Sequence, residues 1–550
     1  MEHTLPPAPT TRSADAPAAA VHGGTALRRR SPWWRSAVVY QVYPRSFADA
    51  NGDGIGDLPG VRSRLPYLRD LGVDAIWLSP FYTSPMADGG YDVADYRDVD
   101  PMFGTLADFD ALLRDAHACG LRVIVDLVPN HTSSAHPWFV EALAAPPGSP
   151  QRSRYVFRPG IGDAPPNDWE SVFGGPAWTR VADGEWYLHL FDSAQPDLDW
   201  SNREVREEFA AILRFWLDRG VDGFRIDVAH GMVKADGLPD VGRRRDGLLD
   251  TAATPYFDQD GVHEIYRGWR KILDGYPGER MAVAEAWVST PARAARYVRP
   301  DELHQAFNFD YLTAPWDGPA QRRVIDEVIA AMAAVGAAPT WVLGNHDTVR
   351  PATRYGSVAR ARAAALLMLA LPGSAYVYQG EELGLPEVTD LPDDVLQDPV
   401  WERSGRTQRG RDGCRVPVPW SGDTPPYGFS PDGAPAPWLP CPDTWGPLTA
   451  AAQAGDPGST LELYRTALRI RRAHPALGDG ELRWLPAPSP DVLVFARDPG
   501  FVCAVNLGAT AVPAPVPGTP LCASGPLDGG LLPADTAAWW STDPAGQPSG

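Results

Sequence analysis

Five charged side chains of this 550-residue sequence stand at or just beyond the ends of short apolar runs, where they could act together. They are Asp126, Arg225, Asp227, Glu285 and Asp347. Burying several ionisable groups in one place costs free energy, so a shared function accounts for them better than separate structural roles. Two carboxylates that flank a glycosidic bond can hydrolyse it, and in the retaining reaction they lie about 5 Å apart.

The residue types suggest how the roles are divided. Asp227 suits the nucleophile, which must be ionised, because Arg225 lies two residues away on the same strand face and lowers the carboxyl pKa. Glu285 then suits the acid/base, which must carry a proton near neutral pH. Asp347 is a third carboxylate that could bind sugar hydroxyls and favour a distorted ring. Two histidines near the same strand ends are candidate hydroxyl donors: His131 and His346.

These residues need a scaffold that brings the ends of several strands together. Eight apolar runs alternate with helical patterns, and each run is apolar throughout, as is typical of parallel strands buried on both faces. The sequence therefore predicts an α/β fold with a (β/α)8 barrel of the triosephosphate isomerase (TIM) type, with a doubly wound sheet as the alternative. The predicted strands are residues 38–43, 75–78, 122–126, 223–227, 281–285, 306–309, 340–343 and 375–378.

One helix between the strands can be read in detail. The run SNRE at residues 201–204 has the form of a capping box, which predicts Ser201 as the N-cap. Gly220 is the predicted end of the helix, because glycine is favoured just past a helix C-terminus. Apolar residues in between fall on one helical face. They are Val205, Phe209, Ile212, Leu213, Trp216 and Leu217.

Composition changes along the chain predict the domain organisation. Residues 1–30 are a predicted disordered tail, and residues 31–131 form the first part of the barrel. Residues 132–200, rich in Pro, Trp and Gly, are a predicted subdomain inserted after strand 3. Residues 201–475 complete the barrel, and residues 476–550 are a predicted C-terminal antiparallel β-sandwich.

Charge and cysteine content favour some partners and disfavour others. The net charge of −20 disfavours nucleic acid and anionic membrane surfaces, and a neutral substrate fits it better. The five cysteines show no CxxC spacing, which indicates neither a disulfide framework nor a thiolate zinc site. We identify no transmembrane run and no signal peptide, so we expect a cytoplasmic protein.

A possible metal loop lies near the start of the predicted barrel. Oxygen-bearing groups stand at alternate positions, in the ligand rhythm of a calcium loop, with the backbone carbonyl of Ile55 among them. The final Glu of an EF-hand is missing, and the alternative is a turn that binds nothing. The predicted ligands are Asp49, Asn51, Asp53, Ile55 and Asp57, and the predicted ion is a structural Ca²⁺.

Four segments of the sequence resemble the signature regions of the α-amylase superfamily, glycoside hydrolase family 13. They are DLVPNH at 126–131, GFRID at 223–227, AEAW at 284–287 and NHD at 345–347, in the order that the family has. The resemblance covers roughly residues 33–545. It implies that Asp227 is the nucleophile, Glu285 the acid/base and Asp347 a transition-state stabiliser, in agreement with the chemical interpretation.

Further segments resemble the oligo-1,6-glucosidase group of that family. QPDLD at 195–199 is similar to its QPDLN segment, with Asp in place of the last Asn, and MADGGYD at 86–92 is similar to its substrate loop. The second likeness implies that Asp88 binds the terminal sugar and Tyr91 stacks on it. RDGCR at 411–415 resembles a segment whose arginine closes the pocket, for which Arg411 is preferred over Arg415. The group also has a matching structural Ca²⁺ loop.

The resemblance implies an exo-acting α-glucosidase that releases glucose from small oligosaccharides or glucosides. Val228, directly after the predicted nucleophile, tends to accompany α-1,6 activity, whereas the run DVAHGM at 227–232 looks more like enzymes of maltose-type links. We therefore expect α-1,4 preference with α-1,6 activity possible. The alternatives are a transglucosylase or isomerase of the superfamily, of trehalose synthase or sucrose-converting type, and a non-catalytic carbohydrate-binding protein, which the intact carboxylates disfavour.

Overall fold

A nearly closed ring of eight parallel strands forms the centre of the molecule. The structure is a computed structural model, which describes residues 31–243 and 251–542. All eight predicted strands are present, so the barrel is confirmed and the doubly wound alternative is excluded. The predicted tail of residues 1–30 lies outside the described residues. Barrel strands 1 to 8 are Val38–Val42, Ala75–Leu78, Arg122–Leu127, Gly223–Ile226, Met281–Ala284, Gln305–Ala306, Thr340–Val342 and Ser374–Tyr378.

The barrel has one seam, between strands 6 and 7. The other neighbours pair in parallel in the order 6-5-4-3-2-1-8-7. At the seam the Asn308 N–H donates to the Thr340 carbonyl at 3.1 Å. Strand 6 ends earlier than predicted because the Asn308 side chain caps the helix Phe309–Thr313, accepting from the Tyr311 N–H. Asn308 keeps an extended backbone, as N-cap residues do, and the helix begins directly after it.

Both faces of the strands are buried, which explains why the sequence pattern is apolar throughout. Val39, Trp77 and Val283 belong to a cluster inside the barrel. Their neighbours along the strands, such as Tyr40 and Ile76, pack in the cluster between the barrel and its helices. Alternate side chains of a strand point to opposite faces, so a strand buried on both sides must be apolar at every position.

The helix Arg203–Arg219 corrects one prediction. Its N-cap is Asn202, whose Oδ1 accepts the Glu204 N–H at 2.8 Å, so the predicted capping box on Ser201 is wrong. The Ser201 hydroxyl instead donates to Asp199 at 2.6 Å, which takes it away from the helix end. The predicted apolar face is buried, and Gly220 ends the helix with φ of 103°.

Helices alternate with the barrel strands along the chain. The α-helices other than Arg203–Arg219 are Leu58–Ser63, Leu65–Leu71, Leu106–Ala118, Pro137–Ala144, Val262–Asp274, Pro291–Arg296, Phe309–Thr313, Gly318–Ala333, Pro351–Arg354, Val358–Ala370, Pro399–Arg403, Ala450–Gln453 and Thr460–Ala473. Short 3₁₀ helices are Trp33–Arg35, Pro44–Ser46, Arg152–Arg154, Asp393–Val395, Asp412–Cys414 and Asp443–Leu448. Among the described residues, we find no helix with the length and apolar character needed to cross a membrane. The cytoplasmic location stays a prediction.

The insertion after strand 3 contains the helix Pro137–Ala144 and a small antiparallel sheet. Its central strand is Glu185–Leu188, with Phe157–Pro159 on one side and Trp178–Arg180 on the other. Before the insertion, Tyr82–Thr83 pairs with Asp95–Val99 in a two-stranded sheet. Both features lie on loops that follow C-terminal ends of barrel strands, where a TIM-type barrel carries its site.

The C-terminal region consists of antiparallel sheet, as predicted. The larger sheet has five strands, and Val512–Pro513 pairs with Leu531–Leu532 in a second sheet. The Arg497 guanidinium donates to the Ala370 carbonyl at 2.9 Å, which ties this region to the helix Val358–Ala370 of the barrel. The five strands of the larger sheet are Arg483–Trp484, Val492–Arg497, Phe501–Asn506, Cys522–Ala523 and Thr536–Ser541.

Candidate active site

A pocket of about 670 Å³ opens at the C-terminal ends of the barrel strands. It gathers eight residues that the sequence singled out, from loops after strands 2, 3, 4, 5 and 7 and from a later segment. Arg225 lies beneath them, buried inside the barrel. The eight are Asp88, Tyr91, His131, Asp227, Glu285, His346, Asp347 and Arg411.

Arg225 joins the two carboxylates proposed for the chemistry. Its Nη1 lies 2.5 Å from Asp227 Oδ1, and its Nη2 lies 2.8 Å from Glu285 Oε2. Arg225 sits on strand 4 with Asp227 just past its end, and Glu285 follows the neighbouring strand 5. Because the two strands are parallel and paired in register, both carboxylates reach the same edge of the barrel.

Burial and the neighbouring charges shift the pKa of Asp227 in opposite directions. Burial raises the pKa of this carboxyl well above its usual range, while the Arg225 guanidinium lowers it and the Glu285 charge raises it again. The sequence anticipated the contribution of Arg225 but not the larger effect of burial. A guanidinium in direct contact favours the ionised form, which is the form that a nucleophile needs.

Asp126 is a member of the site that was noticed in the sequence but given no role. It shares Arg225 Nη1 at 3.0 Å and also accepts hydrogen bonds at 3.1 Å from Trp77 Nε1 and from the Tyr91 hydroxyl. Burial raises its pKa to about 7, although Arg225 lowers it. Asp126 therefore fixes the Tyr91 side chain and adds a charge beside Asp227.

Asp347 lies among positive groups on the far side of the pocket. Arg411 contacts its Oδ1 at 2.9 Å and Arg415 contacts the same oxygen at 3.1 Å. Burial raises the pKa of Asp347, but His346 and the two arginines outweigh it and hold the pKa below its usual range. His346 stacks face to face on Tyr91, with ring centroids 5.1 Å apart. Asp347 is thus ionised at neutral pH.

Arg411 also closes the end of the pocket through Asp88. Its Nη2 lies 2.7 Å from Asp88 Oδ1, and its Nε lies 2.6 Å from Asp398, a partner that no sequence motif indicated. Of the two arginines left open by the sequence, Arg411 makes the pair with Asp88, and Arg415 turns to Asp347 instead. Burial raises the pKa of Asp88 to about 6 against the opposing effect of Arg411.

A buried cation, Lys234, supports His131 indirectly, through Asn130. Lys234 Nζ lies 2.7 Å from Asp197 and 2.9 Å from the Asn130 amide oxygen, while Asn130 Nδ2 lies 3.2 Å from His131 Nδ1. His131 Nε2 faces Gln195 Nε2 at 3.1 Å. Burial lowers the pKa of His131 to about 4, so its ring is neutral at neutral pH. A neutral ring can both donate to and accept from sugar hydroxyls.

The apolar walls of the pocket were missed from the sequence. Phe173 and Phe191 come from the insertion, and Phe257 comes from the long loop after strand 4. Trp287, two residues after Glu285, forms another wall. Aromatic faces and convergent polar groups together are typical of small-molecule sites. Single aromatic residues in irregular loops carry no period, so no sequence signal marked them.

The predicted metal loop has the donor chemistry for Ca²⁺, but its side chains face its own backbone. Asp49 accepts the N–H groups of Gly52 and Gly54, at 2.6 and 2.9 Å. Asp57 caps the helix Leu58–Ser63 by accepting the Gly60 N–H. Within residues 31–243 and 251–542 we find no cluster of three or more His, Cys, Asp or Glu side chains able to hold a metal. The ligand set of Asp49, Asn51, Asp53, Ile55 and Asp57 stays a prediction.

Sequence comparisons agree with this geometry. The family model described as the catalytic domain of α-amylase matches residues 41–480. The chain is 41% identical over 515 residues to a probable α-glucosidase of Rhizobium meliloti (strain 1021), covering 88% of this chain and 91% of that protein. It is 36% identical to an oligo-1,6-glucosidase of Parageobacillus thermoglucosidasius, covering 85% of this chain and 88% of the relative.

Solved structures are similar over almost the whole chain. The α-glucosyl transfer enzyme XgtA has a TM-score of 0.84 at 39% identity, with 93% of this chain and 100% of that chain covered. The trehalulose synthase MutB from Pseudomonas mesoacidophila has a TM-score of 0.84 at 32% identity, with 93% and 99% covered. Hydrolases and transferring enzymes thus share this architecture.

Proposed function

Because the chain belongs to the α-amylase family, we propose that it is a retaining, exo-acting α-glucosidase that releases glucose from the non-reducing end of small α-glucosides. In this proposal Asp227 is the nucleophile, Glu285 the acid/base and Asp347 the carboxylate that stabilises the transition state. The substrate is a neutral oligosaccharide or glucoside, with α-1,4 links favoured and α-1,6 links possible.

The observation that carries the proposal is the ion pair between Arg411 and Asp88. Both residues line the pocket, and the guanidinium also contacts Asp398 at 2.6 Å. A polysaccharide chain could not continue past this pair. A pocket blocked in this way accepts only a chain terminus, which supports exo action on one terminal sugar.

The first step forms a covalent bond to the enzyme. The Asp227 carboxylate attacks the anomeric carbon, and the bond from that carbon to the leaving oxygen breaks. The proton of Glu285 passes to the leaving oxygen, so the aglycone departs as a neutral alcohol. Asp347, kept ionised by His346 and Arg411, binds hydroxyls of the distorted ring and offsets the positive charge that develops on it.

The second step reverses the first with water. Glu285, now ionised, removes a proton from a water molecule, and the resulting oxygen attacks the anomeric carbon from the face that the aglycone left. The bond to Asp227 breaks and its carboxylate is restored. Two inversions return the original α configuration.

A transglucosylase or isomerase is the second candidate, and the similarity to XgtA and MutB favours it. Both functions use the same glycosyl-enzyme and differ in the acceptor, which is water in one and a sugar hydroxyl in the other. Incubation with maltose, isomaltose, sucrose and trehalose separates the two. Free glucose as the main product supports hydrolysis, whereas conversion into a different disaccharide would refute it.

A further inference from the structure

Trp287 makes a direct contact with the proposed acid/base. Its indole Nε1–H donates to Glu285 Oε1 at 3.3 Å. The indole also stacks on Phe309, with ring centroids 3.7 Å apart and the planes only 2° from parallel. Trp287 therefore has one polar contact with the chemistry and one flat contact that fixes its plane.

The two oxygens of Glu285 are in different surroundings. Oε2 accepts a hydrogen bond from the Val228 N–H at 3.0 Å and lies 2.8 Å from Arg225 Nη2 in an ion pair. The guanidinium charge beside Oε2 and the N–H directed at it both disfavour a proton on this oxygen. The proton that Glu285 delivers to a leaving group must then sit on Oε1, the oxygen that Trp287 contacts.

We propose that Trp287 is a positioning residue that orients Glu285 Oε1 for proton transfer. The inference rests on the function proposed above. With the indole N–H at one acceptor position of Oε1, the other position is directed into the pocket, where the leaving oxygen lies. Loss of the N–H leaves the carboxyl free to rotate about its last bond, and proton transfer depends on alignment as well as distance.

The structure also shows what holds the indole in place. Trp287 borders both the active-site pocket and a second cavity of about 730 Å³, so surrounding side chains do not enclose it. Its plane is set by Phe309, the first residue of the helix that Asn308 caps. Asn308 is the same residue that closes the barrel seam. The orientation of the acid/base is thereby tied to a rigid part of the barrel.

The test compares leaving groups in the Trp287→Phe variant. Phe keeps a six-membered ring that can stack on Phe309, and it removes the N–H together with the pyrrole half of the indole. Maltose has a poor leaving group that needs the proton, whereas the leaving group of para-nitrophenyl α-glucoside departs with little help. We expect kcat/KM to fall about 10-fold for maltose and less than about 2-fold for the nitrophenyl glucoside, since acid catalysis contributes 10²–10⁴-fold in all.

Trp484→Phe is the matched control. Trp484 lies in the C-terminal region, and its Nε1–H also donates to a carboxylate, Asp326 Oδ1 at 2.6 Å. The same substitution there should leave kcat/KM unchanged for both substrates. If Trp287→Phe does not fold, Phe309→Leu replaces it. That variant removes the stacking face without touching Glu285, and we expect the same difference between substrates at a smaller size.

Equal losses on both substrates, or no loss on either, would overturn the inference. Such a result is distinct from failure of the proposed function. If the wild-type protein releases glucose from both substrates and Asp227→Asn abolishes both reactions, the function stands whatever Trp287→Phe does. If the wild-type protein hydrolyses neither substrate, the proposed function fails and the inference fails with it.

Discussion

The Arg411 guanidinium donates to Asp88 at 2.7 Å, although 323 residues separate the two along the chain. The contact joins the loop after strand 2 to a segment beyond the last barrel strand. The same guanidinium contacts Asp347 and Asp398, so three carboxylates share one cation. The pocket is closed by charge pairing and not only by packing.

Replacing Arg411 with Leu should therefore damage both binding and stability. Three buried carboxylates would lose their shared cation, and breaking a buried pair costs about 3–5 kcal/mol. Misplacement of Asp88 and Asp347 should lower kcat/KM for maltose by about 100-fold, because small shifts of positioning groups have effects of that size. Steady-state kinetics and urea unfolding measure the two effects.

Arg406→Leu is the control for the Arg411 variant. Arg406 pairs with Glu402 at 2.8 Å, but both side chains are about two-thirds exposed. Exposed ion pairs contribute little to stability, so this variant should keep its activity and nearly all of its stability. An Arg411→Leu enzyme as active on maltose as the Arg406→Leu enzyme would contradict the closed-pocket model.

Strand geometry made part of this site predictable, whereas Asp88, Tyr91 and Arg411 were predicted only through the resemblance to a family. Asp227 and Glu285 end two neighbouring parallel strands, and any barrel with those strands must bring them together. Asp398 and Phe173 lie in irregular segments, where neither strand period nor helix period specifies a direction. Their positions depend on how long loops fold over the barrel, which is a property of the tertiary structure alone.

The charge on Asp126 should influence the pH at which the enzyme loses activity in acid. The carboxylate of Asp126 raises the pKa of Asp227, since two nearby negative charges repel. Asp126→Asn removes that charge and keeps the shape of the side chain. The nucleophile must be ionised and activity is lost as the pH falls through its pKa, so the acid limb of the kcat/KM profile should move to lower pH.

Asp222→Asn provides the comparison for this shift. Asp222 is a buried carboxyl directly before strand 4, at the end of the barrel opposite to Asp227. The substitution should alter stability, because Asp222 pairs with Arg280 at 2.9 Å, but should leave the acid limb where it is. Movement of the limb to higher pH in Asp126→Asn would show that the sign of the coupling is wrong.

Lys234 should matter for stability more than a typical lysine. Its ammonium group is buried, and it lies 2.7 Å from Asp197, which is fully buried. Lys234→Met leaves that carboxylate without its cation, so the free energy of unfolding should fall by about 3–5 kcal/mol. The same change at the exposed Lys271 should lower the free energy of unfolding only slightly. Equal unfolding midpoints in urea for the two variants would rule out this role.

We propose that the loop from Asp49 to Asp57 binds a structural Ca²⁺, and its removal should affect stability and not chemistry. Its carboxylate, amide and carbonyl oxygens are the donors that Ca²⁺ prefers. At a Ca²⁺ concentration of 100 times Kd, binding adds about 2.7 kcal/mol to the stability of chelator-treated protein. Thermal unfolding with and without Ca²⁺ measures this gain in stability, and Asp53→Ala should abolish the rise in Tm. If Ca²⁺ leaves Tm unchanged in the wild-type protein, the loop is a turn that binds nothing.

The two carboxylates of the reaction can be told apart by the products that azide forms. In Asp227→Ala no glycosyl-enzyme can form, so azide attacks an activated α-glucoside directly and gives the β-glucosyl azide. In Glu285→Ala the glycosyl-enzyme forms from para-nitrophenyl α-glucoside but its hydrolysis lacks a base, and azide, which needs none, attacks it. Two inversions then give the α-glucosyl azide.

Proton NMR of the anomeric signal distinguishes the two azides. Without azide each variant should lose at least about 100-fold in kcat, the lower limit for removal of acid–base assistance. The opposite pairing of products with variants would exchange the roles of Asp227 and Glu285. An inverting enzyme would give no α-glucosyl azide from either variant, because no glycosyl-enzyme would lie on its path, so the same measurement decides between the two stereochemical classes.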